Sequence, residues 1–402
     1  MDYLRSTVFA EKFDPREERF PDYFLDLWQL GKLGVAGVHP MYWTQLQTIV
    51  LMQTLLNVVV AIIIFKFIVQ RRGSALSYSI GYGIVCPTLV CVPVWIISLA
   101  DLYNPAFLVA SAASPVLLFF RCLEAMHGTV PAFAEKSLST FLLYYCATVQ
   151  FEIDPNTGHV IRIDTKYLIS QTLKFLILFA EISVVFSILI PLDYQVFSQK
   201  EITSLTDLFY WGNLGNNYVM AFLTALMIEV GATGVGLLTS LLSGIKTVQL
   251  NFNPLTASSS PSDFWGRRWN RLVSSGLKRG IFRPFRKNGY GRNTAALATF
   301  LVSGLLHEYI LVIIAIRKVI QMNQISLRGT HFLFFFWNGI VLLAEPPLTE
   351  TPFVQWVSRN FPRPVKTFLV VLTVLPVAHL FTNEYKEVYD AFSLGFPRFY
   401  IL

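Results

Sequence analysis

The chain has 402 residues, of which 54% are hydrophobic and 14% are charged, and its formal net charge is +7. Soluble globular domains carry roughly 25% charged residues, and the apolar residues here collect in runs of about 20, the length that crosses a bilayer. These values exclude a soluble globular enzyme. The positive charge is attributed to Lys- and Arg-rich cytosolic loops and not to nucleic-acid binding, because the sequence has no soluble basic domain.

The sequence predicts an all-α, polytopic integral membrane protein with about eight membrane-spanning helices. The expected regions are a polar and aromatic lead-in (1–44) with a surface helix near Asp22–Leu33, N-terminal transmembrane helices (45–242), a cytosolic basic loop (243–293) and C-terminal transmembrane helices (294–402). The candidate spans are Thr48–Val69, Ser77–Leu99, Pro105–Phe120, Tyr167–Pro191, Tyr218–Leu242, Thr294–Ile316, His331–Glu345 and Val365–Phe381. The third and seventh are short enough to be tilted, kinked or incomplete. Leu138–Thr148 is too short to cross and is predicted to be an interfacial or re-entrant helix.

The distribution of Lys and Arg between loops predicts the orientation in the membrane. The basic loops are 71–72, 121–166 and, most densely, 243–293, whereas the 101–104 loop carries no Lys or Arg. This alternation places the 243–293 loop in the cytosol and both termini on the opposite side. Arg317, Lys318 and Arg328 argue against that orientation.

No metal site is expected from the cysteines. The four cysteines are Cys86, Cys91, Cys122 and Cys146. They lie in or beside apolar runs, with neither CxxC spacing nor a nearby histidine cluster, so they indicate neither a zinc site nor a disulfide framework. They are interpreted as small buried hydrophobic residues.

The first unusual stretch is PSDFWGRRWNRLVSSGLKRGIF at 261–282. Ser262 or Asp263 is expected to cap a helix at its N-terminus. On one continuous helix, a cationic stripe would contain Arg267, Arg271, Ser274 and Lys278. The alternative is an amphipathic helix that lies on anionic headgroups. Asn270 counts against this alternative, since a polar amide turned toward a packed flank must find a hydrogen-bond partner.

The second unusual stretch is LVSGLLHEYILVIIAI at 301–316, which places His307 and Glu308 near the middle of an apolar run. Ionisable groups at that depth cost roughly 2.5–3.5 kcal/mol each and are functional candidates by default. Gly304, one turn earlier, is predicted to leave room beside the imidazole. The alternative is a histidine satisfied by an interhelical hydrogen bond. HExxH zinc binding is excluded because Leu311 occupies the second histidine position.

A buried imidazole and an amide suit acyl transfer to an alcohol. A neutral imidazole can accept the hydroxyl proton as the new C–O bond forms, and an amide N–H can stabilise the negative oxygen or orient the acyl donor. A thiolate leaves readily because thiol pKa values lie near 8.5. The phosphates of coenzyme A would meet the cytosolic Arg and Lys residues.

These two stretches carry a family resemblance. NPLTASSSPSDFWGRRWN at 253–270, followed by SGLLHE at 303–308, resembles the membrane-bound O-acyltransferase superfamily, closest to its wax-synthase branch of long-chain-alcohol O-fatty-acyltransferases and related sterol acyltransferases. Trp269 and Asn270 match the family's Trp-Asn element, and His307 matches its intramembrane histidine. The resemblance implies tilted helices around an intramembrane reaction chamber, with acyl-CoA entering from the cytosol and the acceptor from the bilayer.

The leading hypothesis is an acyl-CoA-dependent O-acyltransferase of the endoplasmic reticulum membrane that esterifies a lipophilic alcohol, first of all a long-chain fatty alcohol. His307 is the expected general base, and Asn270 is expected to orient or polarise the thioester carbonyl. The candidate substrate-binding residues are Trp265, Arg267, Arg268, Trp269, Lys278 and Glu308. Acyl-CoA is expected as co-substrate, with no further cofactor, no metal and no nucleic-acid partner. The oligomeric state stays open.

Three alternatives stay open at this stage. The acceptor could be a sterol, diacylglycerol or a terpenoid hydroxyl, and the donor could be a short acyl-CoA such as acetyl-CoA. A transporter would be expected to show inverted repeats with broken helices at corresponding positions, which the sequence does not show. A non-catalytic scaffold would have no use for a histidine at mid-membrane depth.

Overall fold

The computed structural model describes residues 26–30, 33–36, 38, 42–154, 156–322 and 329–401. Most of the lead-in and Arg328 lie outside these residues. The surface helix predicted near Asp22–Leu33 is wrong where the chain is described, because strands β1 (Asp26–Leu30) and β2 (Leu33–Ala36) occupy that region. Together with β3 (Arg398–Ile401) they form an antiparallel sheet of order β1-β2-β3. The sheet therefore joins the two ends of the described chain.

Helices make up most of the rest. In chain order, the longer helices are α1 (Tyr42–Val69), α2 (Ala75–Ala100), α3 (Pro105–His127), α4 (Leu138–Cys146), α5 (Thr165–Leu189), α6 (Trp211–Ser243), α7 (Arg271–Leu277), α8 (Arg292–Met322), α9 (Thr330–Thr349), α10 (Pro352–Asn360), α11 (Arg363–Leu372) and α12 (Lys386–Ser393). Short helical turns occupy Leu205–Phe209, Pro254–Ala257, Pro261–Asp263, Phe264–Arg268, Lys278–Phe282, Arg283–Lys287, Leu375–Val377, His379–Thr382 and Asn383–Tyr385.

The predicted membrane fold is confirmed. Among the described residues, seven helices are long and apolar enough to cross a bilayer, namely α1, α2, α3, α5, α6, α8 and α9. The eighth predicted span, Val365–Phe381, falls on a pair of helices, Arg363–Val377 and His379–Ser393, that meet at a bend of 51°. The interfacial helix predicted at Leu138–Thr148 corresponds to α4.

The third span is longer than the sequence indicated. It was expected to end at Phe120, but α3 continues to His127 and buries Arg121 and Glu124 in its last turns. These two charges have partners from elsewhere in the chain, so the helix can continue without leaving a charge alone in an apolar interior. Glu124 Oε1 lies 3.1 Å from Nε of Arg279, in the short turn that follows α7.

The basic loops gather on one face of the helix bundle. Thr129, after α3, donates a hydrogen bond of 2.6 Å to the carbonyl of Arg279, and Lys287 donates one of 3.2 Å to the carbonyl of His127. Arg72, after α1, forms an ion pair with Glu135. The loops at 101–104 and 190–210 connect the opposite ends of the helices. One face therefore carries most of the loop cations, as the alternation of charge along the sequence predicts.

This segregation predicts the topology of the protein in its membrane. In sealed vesicles with the cytosolic face outward, a membrane-impermeant maleimide should label Lys287→Cys, on the basic face, because Lys and Arg are retained on the cytosolic side. Glu201→Cys, at the other end of the bundle, should react only after detergent opens the vesicle. Labelling of the unsubstituted chain sets the background, and the reverse pattern would contradict the orientation.

Candidate active site

A cavity of about 310 Å³ lies between α6, the 261–282 segment, α8 and α9. Its volume lies at the lower end of the range for small-molecule pockets, roughly 300–1,000 Å³. Of the residues predicted from sequence, those that line it are Trp265, Trp269, Asn270, Lys278 and His307. Its aromatic wall also contains Phe300, Phe334, Phe335 and Phe381. The cavity is therefore mainly apolar, with a few polar groups that could fix the orientation of a ligand.

The 261–282 segment is not the single helix that the sequence predicted. Ser260, rather than Ser262 or Asp263, caps its first turn by accepting a hydrogen bond of 3.2 Å from the backbone N–H of Asp263. The helical turns stop at Trp269, and α7 begins at Arg271. Asn270 lies between them with φ 36° and ψ 67°, a left-handed conformation that no right-handed helix contains. The predicted cationic stripe is therefore broken in the middle.

The break exposes the amide of Asn270 to the cavity. Its side-chain Oδ1 caps α7 by accepting a hydrogen bond of 3.3 Å from the backbone N–H of Val273. Its own backbone N–H donates to Oδ1 of Asn251, at 2.9 Å. Within the described part of the chain no protein acceptor faces its Nδ2. Asn270 can therefore donate this N–H to a ligand oxygen while its other groups hold the backbone turn.

His307 reaches the same cavity from α8, and aromatic rings hold it on two sides. Its ring stacks on Phe335 of α9, with centroids 4.8 Å apart and planes at 11°, and it meets the ring of Phe381 edge-on at 5.0 Å. Its Nδ1 lies 3.4 Å from the hydroxyl of Tyr385. Among the described residues no protein group forms a hydrogen bond with Nε2, so this nitrogen can serve a ligand.

Glu308 does not line the cavity. It is buried, and its Oε1 accepts hydrogen bonds from the backbone N–H groups of His331 (2.8 Å) and Phe332 (3.1 Å). It therefore caps the first turn of α9, whose N–H groups would otherwise lack partners. The role suggested for it in substrate binding is replaced by a structural one, which fixes α9 against α8.

Gly304 allows α8 and α9 to pack closely. It does not leave the free space beside the imidazole that the sequence predicted. A Cβ atom at this position would lie 3.0 Å from Cα of Phe332 and 3.4 Å from Cβ of Phe335. The two helices can approach this closely only because position 304 has no side chain. The close approach brings the ring of Phe335 against His307.

The predicted phosphate contacts separate into two groups. Arg267 and Arg268 pair with Asp263, at 3.0 and 2.7 Å, and neither lines the cavity. Burial raises the pKa of Asp263, but hydrogen bonds from Arg268 and Ser259 outweigh it and hold the pKa below its usual value. Lys278, by contrast, is exposed and lies on the cavity wall. Lys278 is thus the cation placed to meet an anionic ligand there.

The two tryptophans of the segment form part of the wall. Trp265 donates a hydrogen bond of 3.2 Å from Nε1 to Oδ1 of Asn338 on α9, and Trp269 stacks on Phe264 with centroids 5.5 Å apart. Sequence reasoning missed Asn338, although an amide within an apolar span is a visible signal. It also missed Tyr385 and Asn251, because single polar residues in loops or at helix ends have no distinctive pattern.

Part of the chain is similar to a known protein family. Residues 248–337 match the membrane bound O-acyl transferase family. The chain is 39% identical to the Arabidopsis thaliana probable long-chain-alcohol O-fatty-acyltransferase 9 over 27% of its length and 32% of the relative's. It is 28% identical to the probable long-chain-alcohol O-fatty-acyltransferase 7 of the same plant, over 38% of this chain and 43% of the relative. A third relative, the A. thaliana acyl-CoA--sterol O-acyltransferase 1, is 26% identical over 74% of this chain and 79% of the relative.

The matches with the first two relatives span less than half of the relatives' length, and the match with the third spans most of both chains. The family segment contains Trp269, Asn270 and His307, the residues on which the resemblance rested, and it is this segment that contributes most of the cavity wall. The resemblance to the membrane-bound O-acyltransferase family, on its long-chain-alcohol acyltransferase branch, is thereby confirmed.

Proposed function

We propose that this protein is an acyl-CoA-dependent O-acyltransferase that esterifies a lipophilic alcohol within the membrane. The observation that carries the proposal is the meeting of His307 and Asn270, which come from separate parts of the chain, on the wall of one apolar cavity inside the family segment. His307 offers a ring nitrogen that has no hydrogen-bond partner among the described residues, and Asn270 offers an amide N–H. These are the two groups that ester formation from a thioester needs.

In the proposed reaction, Nε2 of His307 accepts the proton of the alcohol as its oxygen attacks the thioester carbonyl carbon. The carbonyl oxygen becomes negative, and Nδ2 of Asn270 donates a hydrogen bond to it. The tetrahedral intermediate then collapses, the C–S bond breaks, and the thiolate of coenzyme A leaves and takes up the proton that His307 received. Contact between Nδ1 and Tyr385 (3.4 Å) orients the ring for this exchange.

The aromatic wall supports this chemistry by keeping water away. Ring contacts surround His307 through Phe335 and Phe381. A dry cavity favours transfer to the alcohol over hydrolysis of the thioester and strengthens the hydrogen bond from Asn270. Lys278 would bind a phosphate of coenzyme A at the basic face, in keeping with an endoplasmic reticulum enzyme that takes acyl-CoA from the cytosol. No cofactor besides this co-substrate is part of the proposal.

A long-chain fatty alcohol is the leading acceptor, since two of the relatives described above are probable long-chain-alcohol acyltransferases. A sterol is the second candidate, because the relative that acts on sterols is similar to this chain over 74% of its length. Both acceptors would use the same base and the same amide. Incubation of the purified protein with labelled palmitoyl-CoA and a mixture of hexadecanol and a sterol would show which acceptor is used, because only its ester would carry the label.

Replacement of the base should slow turnover strongly. In detergent, His307→Ala should lower kcat for ester formation by roughly 10²–10⁴-fold, the usual contribution of a general base, while the protein still inserts and elutes as the unsubstituted chain does. His159→Ala, at an exposed loop histidine, is the matched control and should keep full activity. Retained turnover in His307→Ala would remove the assignment, and substrate flux across sealed vesicles without any ester would favour a transporter.

Replacement of Lys278 should weaken donor binding without impairing chemistry. Lys278→Ala should raise KM for palmitoyl-CoA by about 3- to 10-fold, as expected for one partly exposed charge pair, with kcat nearly unchanged. The KM for palmitoyl-pantetheine, a thioester without the nucleotide phosphates, should not move. Lys166→Ala, at an exposed lysine away from the cavity wall, is the control. Equal effects on both donors would show that Lys278 does not bind phosphate.

A further inference from the structure

We propose that Asn251 is a positioning residue that fixes the amide of Asn270 relative to the cavity wall, and so sets kcat. This inference rests on the proposed function, in which Asn270 stabilises the negative oxygen. Asn251 itself does not line the cavity. It acts through its neighbour, and three sets of contacts show how.

The first set joins the backbone of residues 250–252 to that of residues 268–271. Phe252 donates its N–H to the carbonyl of Arg268 (2.9 Å), and Arg271 donates its N–H to the carbonyl of Leu250 (2.9 Å). Between these two backbone hydrogen bonds, the side-chain Oδ1 of Asn251 accepts the backbone N–H of Asn270, at 2.9 Å. The side chain thus takes the place of a carbonyl at Asn270, whose left-handed conformation turns the chain.

The second set fastens Asn251 to α6. Its side-chain Nδ2 donates to the carbonyl of Ala225 (3.0 Å), and its backbone N–H donates to Oε2 of Glu229 (2.9 Å). Glu229 in turn forms an ion pair with Lys174 of α5. Asn251 is 5% exposed, and both polar ends of its side chain are occupied. Two transmembrane helices therefore hold the residue that holds Asn270.

The third set links this anchor to the cavity. Thr224 and Ile228 line the same cavity as Asn270. Along α6 they directly precede Ala225 and Glu229, the two residues that bind Asn251. The wall and the amide donor thus share one rigid support. If Oδ1 were absent, the N–H of Asn270 would lack its partner and the left-handed turn could relax. A displacement of about 1 Å at a reacting group can lower the rate by about 10²-fold.

The test compares two asparagines that are equally buried but hold different parts of the chain. Asn213, on α6 at the other end of the bundle, is also 5% exposed, and its amide bonds backbone groups of Lys200 and Asp207. With palmitoyl-CoA and hexadecanol, Asn251→Leu should lower kcat by roughly 10- to 100-fold and leave KM for palmitoyl-CoA within about twofold. Both substitutions should lower the Tm by a similar amount, but Asn213→Leu should leave kcat unchanged. Equal kcat losses in the two variants would overturn the proposal.

A double-mutant cycle separates positioning from general damage. In an Asn270→Ala background, Asn251→Leu should lower kcat by no more than about twofold, because residues that act through one another are not additive. Additive losses would overturn the proposal. If the leucine variants do not fold, Asn251→Ala, which removes the acceptor for Asn270 and the donor to Ala225 without adding bulk, is compared with Asn213→Ala by the same kcat and KM measurements.

Amide exchange distinguishes this proposal from the proposed function. Hydrogen–deuterium exchange of the peptide 269–277 should be faster in Asn251→Leu than in Asn213→Leu, whether or not the protein forms esters. Faster exchange with no ester from any acceptor would reject the acyltransferase and keep the positioning contact. Ester formation by the unsubstituted chain, with unchanged exchange in Asn251→Leu, would reject the positioning role and keep the enzyme.

Discussion

A polar group inside an apolar helix bundle must find a protein partner, because lipid supplies none, and this constraint shapes the whole structure. Glu308 on α8 meets it through Oε1, which accepts two N–H groups in the first turn of α9. Glu124 on α3 meets it through Arg279. In each case the partner comes from another element, so satisfying the charge also fixes how two elements pack. These polar residues of the spans therefore help to fix how the helices of the bundle pack.

The site follows from the same constraint. Glu308 holds α9 at a fixed register on α8, and Gly304 lets the two helices come close enough for Phe335 to stack on His307. The imidazole is thus confined by rings, with its Nδ1 near Tyr385 and its Nε2 left for a ligand. In the proposed reaction, such confinement would keep the base in one orientation and keep water from it, as transfer between two lipophilic substrates requires.

The sequence predicts the spans well and the site only in part, for physical reasons. Runs of apolar residues report membrane crossing directly, so seven spans agree with single helices. The end of α3 was missed because Arg121 and Glu124 look like a polar boundary until their distant partners are known. His307 stood out as an ionisable residue in an apolar run. Asn251 lies in a loop, where polarity is ordinary, and only the fold shows what it holds.

The cationic stripe failed for a different reason, and its failure explains the choice of residue at position 270. Helical periodicity assumes right-handed backbone throughout, whereas Asn270 has φ 36°. Glycine would adopt this conformation with less strain, but it has no side chain to offer. Asparagine tolerates the left-handed region better than most residues, caps α7 with its oxygen and leaves its Nδ2 for the cavity. The broken helix and the amide that faces the cavity therefore occur at the same residue, and Asn251 compensates for the break by accepting the backbone N–H that the turn would leave without a partner.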